Sequence, residues 1–185
     1  MVAITLRAAE PDDAEHIALL HADNWRRRYR GVFADAYLDG DVVAERRSVW
    51  TARLAAPGDS LTLLAEDDDG LVGFGHVVFD EDDRWGSLLD NLHVVHSRQG
   101  SGLGRVLLTR VAEAAAERAT SRSLYLWVLE ANTAARGFYR TLGGATGERA
   151  TVPPPGGEPD RLTGSPAMFR ITWPDVTSLG GLTTR

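Results

Sequence analysis

The sequence predicts an α/β domain of the α+β type, and three stretches carry that prediction. An apolar extended run at 88–95 passes through the Gly-rich turn at 96–105 into a helical pattern that begins at Leu103. A second near-continuous apolar run at 124–129 follows one helix length later, so a crossover makes the two strands parallel neighbours, buried on both faces. Upstream, residues 60–66 and 71–79 flank the polar turn Asp67-Asp68-Asp69-Gly70 and form an antiparallel hairpin. Parallel and antiparallel pairing together imply a mixed central sheet. Six to seven strands flanked by about four helices are expected, in a single domain over 1–173 with a C-terminal tail over 174–185.

In chain order, residues 2–7 alternate loosely and form the first strand. Pro11-Asp12-Asp13 starts a helix, with carboxylates at the positive end of its dipole. That helix runs from about Ala14 to Arg30, with Ile17, His21 and Trp25 on one face and Gly31 as its stop. Arg26, Arg27, Arg28 and Arg30 form a local basic cluster, read as a solvated helix face. Residues 32–40 are expected as loop. Asp41 then caps a second helix reaching about Ala55, with Val43, Trp50 and Leu54 on its apolar side.

Gly73 and Gly75 inside the returning hairpin strand mark a bulge or a close approach of backbone. The acidic run 80–83 reads as a solvated loop. In the strand at 88–95, period-two geometry puts Leu88, Asp90, Leu92 and Val94 on one side and Leu89, Asn91, His93 and Val95 on the other, unless a bulge resets the alternation. Leu103, Leu107, Val111 and Ala114 give the next helix its buried stripe. A short helix over 132–142 stops at Gly143-Gly144, strands follow at 145–152 and 165–173, and the chain from Pro174 onward is expected as a frayed or partner-dependent tail.

Composition narrows the function. At 185 residues and 43% apolar content the chain builds one well-packed domain, and a net charge of −6 argues against a nucleic-acid surface. No apolar run approaches membrane-spanning length and no basic-then-apolar leader is visible, so a soluble protein with no membrane partner, in the cytoplasm, is expected. Cysteine is absent, which excludes disulfides, thiolate metal sites and a cysteine nucleophile. The five histidines show no ligand spacing, so no metal is expected.

The turn at 96–105 carries the chemistry. The first N–H groups of a helix have no intrahelical partners, and the dipole puts partial positive charge there, so a strand, a Gly-rich turn and a helix N-terminus can hold an anion such as a pyrophosphate. No Gly-Lys-Ser/Thr closes the turn, so it is not a P-loop, and its glycine spacing differs from the dinucleotide fingerprint.

Gln99-x-x-Gly102-x-Gly104 after an apolar strand resembles the acyl-CoA pyrophosphate loop of the GNAT superfamily of N-acetyltransferases. Residues 124–143 resemble that family's second signature: a strand, Asn132, a short helix carrying Phe138-Tyr139, then Leu142-Gly143. Gly144 departs from the family's habit of an aromatic at that place.

The resemblance implies transfer of an acetyl group from acetyl-CoA, as co-substrate, to a primary amine, on a fold whose two central parallel strands splay to bind CoA. It assigns Gln99, Gly100, Ser101, Gly102, Leu103, Gly104 and Arg105 to the pyrophosphate. The peptide-like pantetheine arm is expected to take backbone hydrogen bonds near Leu92, Val94 and Val95, with an N–H of that strand holding the oxyanion. Tyr139 is the general acid toward the leaving thiolate by resemblance, and it contacts CoA. Asn132 contacts CoA or the amine, or serves as a helix N-cap. Trp25 and Tyr29, with Phe33 and Tyr37, are either acceptor contacts or core. Family members often place Glu early in the central strand. Here that stretch reads Ser87-Leu88-Leu89-Asp90, which leaves Asp90, His93 and Glu130 as candidate bases. Without cysteine, the amine attacks the bound thioester directly in a ternary complex. A small-molecule acceptor is favoured over a protein N-terminus or lysine, with a non-catalytic CoA sensor as the other alternative, and a homodimer across sheet edges is expected.

Overall fold

The computed structural model describes residues 3–180. In chain order the elements are β1 (Thr5–Ala8), α1 (Ala14–Arg28), α2 (Asp35–Asp39), α3 (Val42–Ala55), β2 (Ser60–Asp67), β3 (Gly70–Asp82), β4 (Gly86–Val94), α4 (Leu103–Arg118), β5 (Leu124–Leu129), α5 (Thr133–Thr141), β6 (Ala145–Thr151), β7 (Ala167–Trp173) and α6 (Thr177–Gly180). The strands form one seven-stranded sheet in the order β1-β2-β3-β4-β5-β7-β6. Every neighbouring pair is antiparallel except β4 with β5, as the crossover at α4 requires.

Helix α4 covers one face of the sheet. The two glycines of β3 explain how closely it lies: a Cβ at Gly73 would meet Leu107 Cδ1 at 3.1 Å, and one at Gly75 would meet Val111 Cγ2 at 3.3 Å. Both mark close approach, and Gly73 also adjoins a bulge, since Ala65 faces Gly73 and Glu66 faces Leu71, leaving Val72 as the extra residue. Leu108, Val111 and Ala115 are fully buried there with Val77, Leu89, Leu124 and Leu126, and Leu107 with Ala65, Val72 and Leu103. Helices α1 and α3 cover the other face, where Ile17, Ala18, Trp50, Leu64 and Phe74 form a second cluster. Burying side chains of this size contributes roughly 2–3 kcal/mol each.

Several expectations are corrected. The stretch 32–40 contains the one-and-a-half-turn helix α2, whose Tyr37 and Leu38 are buried. Asp41 precedes α3 without a side-chain capping bond. The acidic run 80–83 is not free loop: Asp80 accepts from the N–H groups of Thr120 and Ser121, and Asp82 Oδ1 from those of Arg84 and Trp85. Beyond Pro174 the chain does not fray over its described part, because Val176 and Leu179 are each 1% exposed in the core beneath α4. Residues 181–185 and Val2 lie outside the described residues. Gly144 needs its missing side chain, since a Cβ would fall 2.5 Å from Ile171 Cγ2 and 2.8 Å from Trp173 Cζ2. Trp173 fills the space that an aromatic at 144 would take, and its Nε1 donates to Leu142 O at 2.9 Å.

Candidate active site

The two central strands meet only at their starts. Ser87 pairs with Leu124 and Leu88 with Tyr125, after which β4 and β5 diverge. The cause on β4 is a bulge: Leu89 faces Val77 and Asn91 faces His76 on β3, so Asp90 is the extra residue with no partner. The bulge also resets the alternation expected from sequence. Leu89 and Leu92, three apart, both join the core beneath α4, while His93, opposite Phe74, belongs to the α1 and α3 side. Residues of both faces therefore border the gap. A cleft of about 880 Å³ lies there, lined by residues of both faces.

At one end of this cleft lies the Gly-rich turn. Gly100 (φ +78°) and Gly102 (φ +89°) adopt left-handed backbone with nothing within 4 Å of where a Cβ would stand. The N–H groups of Gln99, Ser101 and Arg105 are spent on His96, Arg98 and Gly102 carbonyls. Among the described residues, those of Gly100, Gly102, Leu103 and Gly104 have no acceptor, so an anion-binding nest stands at the N-terminus of α4. This fits a pyrophosphate, with a donor set narrower than the whole turn. The side chains of Ser101 and Leu103 do not border the cleft: Ser101 Oγ donates to Arg98 O at 2.6 Å, and Leu103 is core. Gln99, Gly104 and Arg105 do border it.

The free edge of β4 extends from the nest into the sheet. Val95 N–H donates to Val72 O on the β3 side, so by alternation the backbone groups of Leu92 and Val94 turn toward the gap and Val95 does not. Across the gap, Asn132 caps α5 by accepting from Ala135 N at 3.1 Å and also borders the cleft, so both of its expected roles are open to it. Tyr139, about two turns further, is 9% exposed and lines the cleft. Burial first, and then Tyr29 across the cleft, raises its phenol above the ordinary range.

The opposite end is built from side chains. Asp90 accepts from Asn91 Nδ2 at 2.7 Å and pairs with Arg53 Nη2 at 2.7 Å. His93 lies 4.6 Å from the His21 ring, whose Nδ1 accepts from Trp50 Nε1 at 3.0 Å. Burial lowers His93 to about 4, with Asp90 acting weakly the other way, and holds His21 well below its ordinary value. Both rings are neutral at pH 7. Tyr29, pushed up to about 12 by burial and then by Asp90, and Trp25 line this end as expected. Phe33 and Tyr37 instead stack behind them as core. Glu130 is elsewhere, its carboxylate held by Arg149 at 2.8 Å outside the cleft.

Sequence reasoning missed Arg28, Arg46, Arg53 and Trp127, all on the cleft wall. The basic cluster that reads as a solvated face divides its work. Arg26 Nε caps Leu38 O at 2.7 Å, Arg27 pairs with Asp23 on the surface, Arg30 pairs with Asp35 and Asp39, and Arg28 Nη2 donates to Gln99 Oε1 at 2.5 Å. On α3, Arg46 and Arg53 are seven residues apart on the face that carries Trp50, a spacing that places them together without saying what that face meets.

Among the described residues no helix is long and apolar enough to cross a membrane, and no group of three or more His, Asp or Glu is arranged to hold a metal ion. Comparison with known proteins agrees with the geometry. The profile of the acetyltransferase (GNAT) family matches residues 5–143. The uncharacterised N-acetyltransferase YuaI of Bacillus subtilis is 31% identical over 133 residues, covering 70% of this chain and 73% of that protein. The probable N-acetyltransferase Rv2775 of Mycobacterium tuberculosis is 30% identical over 142 residues, covering 74% and 76%. In fold, the chain is similar to the PaiA N-acetyltransferase of Thermoplasma acidophilum, solved in complex with coenzyme A, at TM-score 0.71 and 17% identity over 92% of this chain and 99% of that one. It is also similar to Arabidopsis thaliana NAA60 bound to a bisubstrate analogue, at TM-score 0.67 and 18% identity over 92% and 97%. With a split sheet, an anion nest and a phenol between them, the chain belongs to the GNAT family of N-acetyltransferases.

Proposed function

We propose that this protein transfers the acetyl group of acetyl-CoA to the primary amine of a small molecule, by direct attack within a ternary complex. One observation carries this reading: the cleft at the split between β4 and β5 is lined by residues of both faces of the sheet, which gives thioester and amine room to be bound together. The absence of cysteine removes the commonest route through an acyl-enzyme.

Each step falls to named groups. The free N–H groups of Gly100, Gly102, Leu103 and Gly104 hold the pyrophosphate. The N–H groups of Leu92 and Val94, which β5 leaves unpaired, take the pantetheine arm as an added strand would, while Val94 O is held by Gln99 Nε2 at 3.3 Å, and an N–H there supports the oxyanion as the carbonyl becomes tetrahedral. Tyr139, kept protonated by its raised pKa, donates to the departing sulfur. Asp90 and His93 border the amine's end and are the candidates for taking its proton, with Trp25 and Tyr29 enclosing the rest of the acceptor.

Initial-rate kinetics test the ternary complex. Lines that intersect when both substrates are varied are expected, and parallel lines would overturn it. Dependence on the acetyl-CoA pool supports a cytoplasmic location. The bare outer edge of β6, which pairs with β7 alone among the described strands, supports a homodimer, read by light scattering on the eluting peak.

A further inference from the structure

The acceptor end of the cleft holds an unusual balance of charge. The protein is acidic overall, yet Asp90 is the one carboxylate among the described residues on the cleft wall, whereas Arg46 and Arg53 both stand at the acceptor end. The two arginines are in different states. Arg46 is committed: Nε and Nη2 each donate to Glu45 at 2.5 Å, and its guanidinium lies 4.3 Å over the Trp25 ring. Arg53 is not. Its contacts are the ion pair to Asp90 and the Trp50 ring at 5.1 Å, and its Nη1 is buried with no hydrogen-bond partner among the described residues.

A guanidinium offers five N–H donors in a rigid fork suited to a carboxylate, and a buried donor left without an acceptor is destabilising. Arg53 therefore lacks an acceptor that the protein does not supply, and its Nη1 can be offered to one while Nη2 stays beside Asp90. We propose that the acceptor is an amino carboxylate, an amine with its carboxylate two or three bonds away, in which Arg53 takes the carboxylate and Asp90 the ammonium. The spacing follows from the 2.7 Å contact between Arg53 Nη2 and Asp90 Oδ2, which sets the two recognising groups side by side. A diamine would bring a second cation against Arg46 and Arg53, and a simple alkylamine would leave Arg53 unsatisfied. Trp25 and Tyr29 offer the remaining substituent an apolar, aromatic wall.

This inference rests on the transfer of acetyl to a small amine and fails separately from it. The test is thiol release from acetyl-CoA by the full chain, with a panel of α-amino acids, each beside its carboxamide and its decarboxylated amine, and an α,ω-diamine series. Acids are expected to exceed their amides by about 100-fold in kcat/KM, as sites built around a specific polar partner do. Arg53→Gln should collapse that ratio to below about 10-fold through KM for the acid, and Arg53→Lys should restore part of it. Calorimetric titration with acetyl-CoA in each variant, expected within about 2-fold of wild type, reports that the fold is intact. Amides or diamines turned over as well as the acids would overturn the inference and leave the small-amine reading standing. So would an acid-to-amide ratio unmoved by Arg53→Gln. Binding of acetyl-CoA with no release from any amine would end both.

Discussion

The two ends of the cleft are built from different parts of the chain. At the nest, four backbone N–H groups within one turn stand free, and the side chains are absent at Gly100 and Gly102. At the proposed acceptor end, Trp25 comes from α1 and Tyr29 from the residue that caps it, Arg46 and Arg53 from α3, and Asp90 and His93 from β4, so six side chains from three parts of the chain converge. Backbone recognition is local and tied to conformation. Side-chain recognition is assembled by tertiary packing, and any member can be exchanged without disturbing the others' local structure.

That contrast orders the expected effects. Gly102→Val should be the most damaging change to cofactor binding, because a β-branched residue at φ +89° cannot keep the nest. Acetyl-CoA affinity is expected to fall by about 100-fold or more in calorimetry. Retained affinity would break the comparison outright. Tyr139→Phe should lower kcat by about 100-fold with acetyl-CoA affinity nearly unchanged. Because burial raises the Tyr139 pKa, the wild-type rate should show no alkaline loss traceable to this phenol up to pH 10.

Acid should single out the side-chain end. His93 and His76 are lowered to about 4 by burial, and His21 lies well below its ordinary value, whereas in the unfolded chain all three titrate near 6.5. Between those values the unfolded state binds more protons. Stability is therefore complete above about pH 6.5 and declines as pH falls toward 4, by on the order of 1 kcal/mol per unit for each of the buried rings His21 and His76 and by less for His93, which borders the cleft. Urea midpoints at pH 7, 5.5 and 4.5 measure the slope, and His93→Gln should flatten it. The smallest effect belongs to Arg28→Gln, which touches both ends through Gln99. It should weaken acetyl-CoA binding about 2- to 5-fold, an exposed hydrogen bond being worth about 1 kcal/mol or less.

The same contrast governs what could be read from the sequence. The crossover from β4 through α4 to β5, the glycines of the nest, Asn132 and Tyr139 were legible because each is fixed by residues near it in the chain. Arg46 and Arg53 were not, since a helix with arginines seven apart looks the same whether they meet solvent or a cleft. The bulge at Asp90 was foreseen only as a condition. It follows from the pairing of β4 with β3, and no residue of β4 announces it. Alternation is a property of one strand, but a bulge is a property of two. Helix α2 and the return of Val176 and Leu179 to the core likewise depend on surfaces formed by distant segments.

The strand order has a consequence for folding. β7, last in chain order among the described strands, lies between β5 and β6, which therefore have no contact with each other in the sheet. While Ala167–Trp173 is undocked, β5 has a bare edge and β6 has no neighbour. An intermediate of that kind exposes strand edges to other chains, the arrangement from which edge-to-edge aggregation starts. Docking of Ala167–Trp173 covers both edges in one insertion and converts an association-prone intermediate into a continuous sheet.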